Sequence, residues 1–451
     1  MSTRPSRRTF LREVTAASLL LPSTLAAVEL PRGATGLRAP GEGRTGADGG
    51  RSPGALLSGD GPRDEGYWAQ VRDRFDFREE RVPMNAANLC PSPRDVADTV
   101  TRLTHDIDVD CSFQNRARFG DLLEDARSKI AAQLGVSPDE IALVRNTSEA
   151  NNIVNSGLPL REGDEVVVWD QNHPTNHVAW EVRAARYGFR VRRVSVPEAP
   201  RSAQALVDPF LAAFTDRTRV VAFSHISNVS GIRLPVRQIA DAAHARDIHV
   251  HVDGAQGLGA VALDLREMRC DTYTSSSHKW FMGPKEAGIL YVREALVPEI
   301  WASGVAPGWG DDAETDLTGA RKFESLGQRD DACLAAMGVA ADLHAELGPR
   351  EIEARVAGLA TALKEGMREM GVPLVTPMEP ALSGGVVIAR VAGDGNAVFQ
   401  RLYAEHGIAG APTGGLRLSP HVSNTMDHIE RALNGVRALR PEILGAGSNG
   451  G

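Results

Sequence analysis

Ser275-Ser276-Ser277-His278-Lys279-Trp280-Phe281-Met282-Gly283-Pro284 sets a lysine behind three serines and a histidine and in front of an aromatic pair and Gly-Pro. Such a lysine is suited to a place where its amine is out of water. Burial disfavours the ammonium form, lowers the pKa and leaves a nucleophilic amine that can form a Schiff base. Taken alone, the stretch also reads as a solvated lysine after a polar turn, since most lysines are exposed. The residues upstream weigh against that second reading.

Ile248-His249-Val250-His251-Val252-Asp253-Gly254-Ala255-Gln256 alternates apolar residues with histidines and ends in a carboxylate, followed by two small residues that let something approach closely. A carboxylate there can hold a protonated pyridine nitrogen and so turn a pyridine-type cofactor into an electron sink. His249, His251 and Asp253 have metal-binding chemistry, but the two histidines fit a packed strand face as well.

Short apolar runs at Ile141 to Val144, Glu165 to Trp169, Arg190 to Val196, Arg219 to Phe223, Ile248 to Val252 and Gly288 to Val292 alternate with amphipathic segments such as Ile239 to Arg246. That pattern predicts an α/β fold with a mainly parallel sheet. Ligands in such sheets bind at the carboxyl ends of the strands, and polar clusters follow the strands at those points. Arg145-Asn146-Thr147-Ser148-Glu149-Ala150-Asn151-Asn152 opens a helix after a strand, and reads equally as a phosphate cradle and as an ordinary N-cap. His173, in the loop from Asp170 to His177, can stack on a flat ring or cap its own helix. Asn228, between Ser224 and Gly231, offers an amide at a strand end. Neither a GxGxxG nor a Walker pattern occurs in the helix-opening segment, so a dinucleotide or a nucleoside triphosphate is not expected.

Taken together and in this order, these residues resemble the class V aminotransferase family of fold type I pyridoxal phosphate enzymes, which includes desulfurases, lyases and epimerases. The resemblance runs from about Met84 to Leu439 and implies pyridoxal 5'-phosphate as cofactor. It implies that Lys279 carries the cofactor, that Asp253 pairs with the pyridine nitrogen, that Gln256 reaches the ring hydroxyl and that His173 stacks on the ring. Thr147, Ser148, Ser276 and His278 would bind the phosphate, and Asn228 would lie near the ring hydroxyl or the substrate carboxylate. Gly414-Gly415-Leu416-Arg417-Leu418-Ser419 is similar to the segment whose arginine binds the substrate α-carboxylate, a task suited to the guanidinium fork. A homodimer and a small amino-acid-type substrate are implied too.

Departures from the family narrow the function. Desulfurases of this family carry a cysteine shortly before that arginine, whereas Gly407-Ile408-Ala409-Gly410-Ala411-Pro412-Thr413-Gly414 has none and the last cysteine in the chain is Cys333. The segment Phe323 to Asp330 resembles the one that reaches the neighbouring subunit's phosphate but lacks the expected small hydroxyl residue, which leaves Gln328 or Arg329 as substitutes. Trp280 after His278-Lys279 resembles the branch that holds isopenicillin N epimerase. The expected activity is therefore epimerase-like chemistry at an α-carbon. A C-S lyase and an aminotransferase are the alternatives, and a non-catalytic protein that binds the cofactor or an amino compound is the reading of another class.

The rest of the sequence sets the frame. The net charge of −8 gives no electrostatic case for nucleic acid, and four scattered cysteines form neither a zinc motif nor a disulfide framework. Residues 1–30 hold Arg7-Arg8 followed by Phe10-Leu11 and an apolar run, the pattern of a twin-arginine signal peptide, so the protein is expected outside the cytoplasm, periplasmic or extracellular. Residues 31–66 read as a disordered linker, 84–327 as the large cofactor-binding domain, 67–83 with 328–441 as a smaller α+β domain, and 442–451 as a flexible tail. The loop from Trp301 to Thr318 is expected to shape the substrate pocket.

Overall fold

The computed structural model describes residues 63–306 and 318–445. The expected leader, most of the expected linker, positions 307–317 and the end of the expected tail lie outside the described residues. In chain order the strands are β1 (Val82–Pro83), β2 (Ile141–Val144), β3 (Glu165–Trp169), β4 (Arg190–Val194), β5 (Thr218–Ser224), β6 (His249–Asp253), β7 (Thr272–Ser276), β8 (Gly288–Val292), β9 (Val387–Ala389), β10 (Ile408–Ala409) and β11 (Leu416–Leu418). Seven of them form one sheet in the order β2-β8-β7-β6-β5-β3-β4. β2 and β7 pair antiparallel with β8 and the other neighbours pair parallel, so β8 alone runs against the rest. The expected mainly parallel α/β sheet is the one found.

Strands covered by helices on both faces need apolar side chains on both faces, and β3, Glu-Val-Val-Val-Trp, is buried throughout. β7 breaks that rule. Thr-Tyr-Thr-Ser-Ser has no apolar run and was not expected as a strand, yet all five residues are buried. Its hydroxyls find partners inside: Thr272 Oγ1 lies 2.8 Å from His251 Nδ1, Thr274 donates to Asn151 at 2.7 Å, and Ser275 donates to the Gly254 carbonyl at 3.1 Å. Satisfied hydroxyls make such burial tolerable.

The main core fills the space between this sheet and its helices and includes Trp169, Phe210, Phe223 and Tyr273. A second core gathers Val82 and Met84 with Leu359, Leu363, Ile408, Leu416, Ile429, Val436 and Ile443. Three sequence-based boundaries differ from what is found. The helix Asp331–Leu347 lies in the main core through Leu334, Met337 and Ala340 rather than in the second one, because its many small side chains let it pack closely on the helices Arg94–Val109 and Phe113–Leu134. The helix Glu65–Arg72 begins inside the expected linker, with Asp64 accepting the Tyr67 N–H as its N-cap. Ile443, placed in the tail, is wholly buried in the second core.

Candidate active site

The carboxyl ends of β2, β3, β5, β6 and β7 converge on one cavity of about 300 Å3 lined by Thr147, Ser148, His173, Asn228, Asp253, Gln256, Ser276, His278 and Lys279. These are all the expected cofactor residues. They reach one place because parallel strands deliver the loops at their carboxyl ends to the same edge of the sheet. Asn88, Asn151, Thr175, Ser224 and Ile226 line it as well and carried no assignment from the sequence.

β7 runs into Ser276, His278 and Lys279, and β2 runs into the helix Thr147–Gly157 beside them. Ser276 Oγ accepts the Thr147 N–H at 2.8 Å and lies 2.7 Å from the Thr147 hydroxyl, and Asn146 caps the helix by accepting the Glu149 N–H. The helix start is thus an N-cap and a cavity wall together, and its dipole favours an anion there. His278 Nδ1 is buried with no partner. Burial, with Lys279 and Lys285 close by, pulls the His278 pKa down to about 4. An orphaned ring nitrogen beside a helix N-terminus fits a phosphate group.

Burial holds the Lys279 amine below the ordinary lysine range; Asp253 works against that shift and Arg417 with it. Asp253, at the end of β6, is 3% exposed. Its Oδ2 accepts from Asn151 Nδ2 at 2.9 Å and its Oδ1 from the Ala255 N–H at 3.1 Å. Both oxygens accept, as an ionised carboxylate does. What approaches the small residue after it is β7: a Cβ on Gly254 would fall 2.0 Å from the Tyr273 ring.

His173 lines the cavity and caps the helix Pro174–Tyr187, its Nδ1 taking the Thr175 N–H at 3.3 Å and lying 2.8 Å from the Thr175 hydroxyl. Capping through Nδ1 leaves Nε2 to carry the ring proton. Burial first, and then Lys279, lower its pKa. Gln256 is committed further than the sequence implies: Nε2 donates to the Ala87 carbonyl at 2.8 Å and Oε1 accepts from Trp280 Nε1 at 2.7 Å, which leaves one amide N–H for a ligand.

Arg417, on β11, is 4% exposed. It donates to the Asn228 carbonyl and to Asn85 Oδ1, both at 3.2 Å, and its Nε has no partner. Among the described residues no carboxylate forms an ion pair with it, and burial pulls its pKa down to about 10. Asn85 had no sequence signal, being 332 positions from its partner. Asn151 had one: it sits four residues after Thr147 on the same helix, on the same face.

Ala411 and Arg417 exchange both backbone hydrogen bonds, at 3.0 and 2.9 Å, so the segment before the arginine closes as a tight hairpin. Its tip packs on the Asn228-Val229 turn, where a Cβ on Gly414 would fall 2.4 Å from the Val229 carbonyl. Arg329 is taken up within its own chain by the Leu143 carbonyl at 3.0 Å and Glu324 at 3.1 Å, and Gln328 accepts from Arg116 at 2.7 Å. The histidines of β6 are hydrogen-bonded to Thr272.

The family model described as aminotransferase class V matches residues 95–431. Isopenicillin N epimerase of Streptomyces clavuligerus is 30% identical over 393 residues, covering 83% of this chain and 99% of that protein. Apo cysteine desulfurase from Thermococcus onnurineus NA1 shares the fold with a TM-score of 0.74 at 21% identity, over 82% of this chain and 97% of that one. A C-DES variant with glycine covalently linked to its PLP cofactor also has a TM-score of 0.74, at 23% identity over 81% of this chain and 98% of that one. These two likenesses speak for the fold, and the sequence matches speak for descent: the chain belongs to the class V aminotransferase family of pyridoxal phosphate enzymes.

Proposed function

We propose that this chain acts at the α-carbon of an amino acid or an amino-acid-derived substrate, by epimerase-like chemistry and without a desulfurase cysteine. The observation that carries the reading is Arg417, a buried guanidinium with an unpartnered Nε and no carboxylate paired to it among the described residues. A buried cation without a counter-charge is costly, and a substrate carboxylate supplies that charge. Pyridoxal phosphate, when bound, supplies the electron sink for breaking a bond at the α-carbon.

The residues then divide the work. Lys279 would hold the cofactor and, once released by a substrate amine, take the α-proton on Nζ, a task that its lowered pKa favours. Asp253 would keep the pyridine nitrogen protonated, and Thr147, Ser148, Ser276 and His278 would seat the phosphate. His173 would cover the ring, Gln256 would give its free N–H to the ring hydroxyl, and Asn228 with Arg417 would fix the carboxylate. The hairpin before Arg417 holds no thiol, and Cys90, near the site, is buried with its thiol pKa raised by that burial. The full-length relation to an epimerase supports epimerisation over the lyase and aminotransferase alternatives. We also read the protein as exported folded by the twin-arginine route, as a homodimer.

The test is incubation of the purified protein, loaded with pyridoxal phosphate, with L- and D-amino acids and their peptides in deuterated water. Deuterium at the α-carbon together with the opposite enantiomer supports the reading. Keto acid and ammonia, or transfer of the amino group, without inversion would replace it with the lyase or the aminotransferase. Cofactor binding without any exchange would favour the non-catalytic reading.

A further inference from the structure

Side chains on a strand alternate between its faces, so His249, His251 and Asp253 share one face of β6, and the function above uses only the last. A line of hydrogen bonds joins all three. Asn151 Nδ2 lies 2.9 Å from Asp253 Oδ2, and Asn151 Oδ1 lies 3.1 Å from His251 Nε2 and 2.7 Å from Thr274 Oγ1. His251 Nδ1 lies 2.8 Å from Thr272 Oγ1, which lies 3.2 Å from His249 Nε2.

The chemistry of these groups gives the line a direction. The amide oxygen of Asn151 only accepts, so the Thr274 hydroxyl and the His251 Nε2–H donate to it, and the amide NH2 donates to Asp253. The reversed amide would set its oxygen against the carboxylate. With its proton on Nε2, His251 offers a bare Nδ1 to the Thr272 hydroxyl, and that oxygen in turn accepts from His249 Nε2–H. Burial pulls His251 down to about 3 and, although Asp271 works against it, His249 down to about 4, so each ring is neutral with a single N–H. Every donor along the line therefore points toward Asp253, and hydrogen bonds aligned in this way polarise one another.

We propose that Asn151 and His251 are positioning residues which, through the one-directional line from His249 by way of Thr272, hold Asp253 as an oriented carboxylate facing the cofactor's pyridine nitrogen. The role given to Asp253 rests on the function proposed above; the line of hydrogen bonds does not.

Two measurements separate them. In the cofactor-free chain, nitrogen-15 spectra of labelled histidine, with the His251 signals assigned by their loss in His251→Gln, are expected to show a neutral ring protonated on Nε2. A proton on Nδ1, or a charged ring at neutral pH, overturns the line whatever the chain binds. In the chain loaded with pyridoxal phosphate labelled at its ring nitrogen, the wild type is expected to show a protonated ring. Asn151→Leu is expected to lose that signature and to raise the cofactor's dissociation constant about tenfold or more. His251→Gln, which keeps an N–H toward Asn151, is expected to give a smaller rise. An unchanged ring-nitrogen shift and dissociation constant in folded Asn151→Leu overturns the positioning role. Wild-type protein that binds no pyridoxal phosphate overturns the function proposed above instead. The tautomer measurement needs no change at Asn151, so it decides the matter even where Asn151→Leu does not fold.

Discussion

Lys279 and Lys364 are both taken out of water, and they become different groups. Lys364, in the helix Pro349–Glu369 of the second core, is 1% exposed, and its Nζ is bound by the Pro377 carbonyl at 3.1 Å, the Met378 carbonyl at 2.9 Å and Ser383 Oγ at 3.0 Å. An ammonium has three protons, and all three are used. Lys279 faces the cavity, and no hydrogen bond ties its Nζ to a described residue. Burial lowers the pKa of both, that of Lys364 to about 8. Burial by itself therefore does not make a reactive amine. Three fixed acceptors turn one lysine into a strut that ties positions 377–383 to a helix, and their absence leaves the other open to a carbonyl carbon.

That contrast breaks if the two lysines respond alike to removal. Lys279→Ala is expected to abolish α-proton exchange, by about 10,000-fold or more, and to remove the visible band of bound cofactor while the melting temperature holds. Arg417→Lys should cut kcat/KM about 100-fold, mostly through KM, since an ammonium cannot replace the bidentate fork; steady-state kinetics on any substrate found by exchange would read it. Lys364→Met is expected to cost about 2 kcal/mol of stability in urea denaturation, because three buried oxygens lose their donor, and to leave the cofactor spectrum as it was.

The smallest effect is in pH. Between about 8 and the ordinary lysine value of 10.5 the unfolded chain still holds the Lys364 proton that the folded chain has lost. Through this group stability rises with pH across that window, by at most about 1.4 kcal/mol per unit, and Lys364→Met loses the rise. A variant that kept the slope would assign it to another residue.

The site was largely legible because its residues come in contiguous polar runs directly after strands: Thr147-Ser148, His173, Asp253 and Ser276 to Lys279 each announce a loop at the same edge of the sheet. What was missed lacks such a local mark. Asn85 meets Arg417 only through the fold, and β7 hides as a strand because its hydroxyls are satisfied by residues far away in sequence. In the sequence Gln256 suggests only a contact with a ligand, whereas Trp280 already donates to its amide oxygen and the Ala87 carbonyl accepts one of its two N–H groups. A segment rich in alanine shows no apolar face, so the sequence does not reveal that the helix Asp331–Leu347 packs into the main core.

β1 pairs in parallel with β10, joining Val82 to Ile408, and Asn85 beyond it holds Arg417. Among the described residues the first strand thus waits for nearly the last before either has a partner. Contacts of such long sequence separation slow folding, because the loop must close before any pairing rewards it. Arg417, to which the proposed function gives the substrate carboxylate, is consequently held in place only once residues 332 positions apart have met.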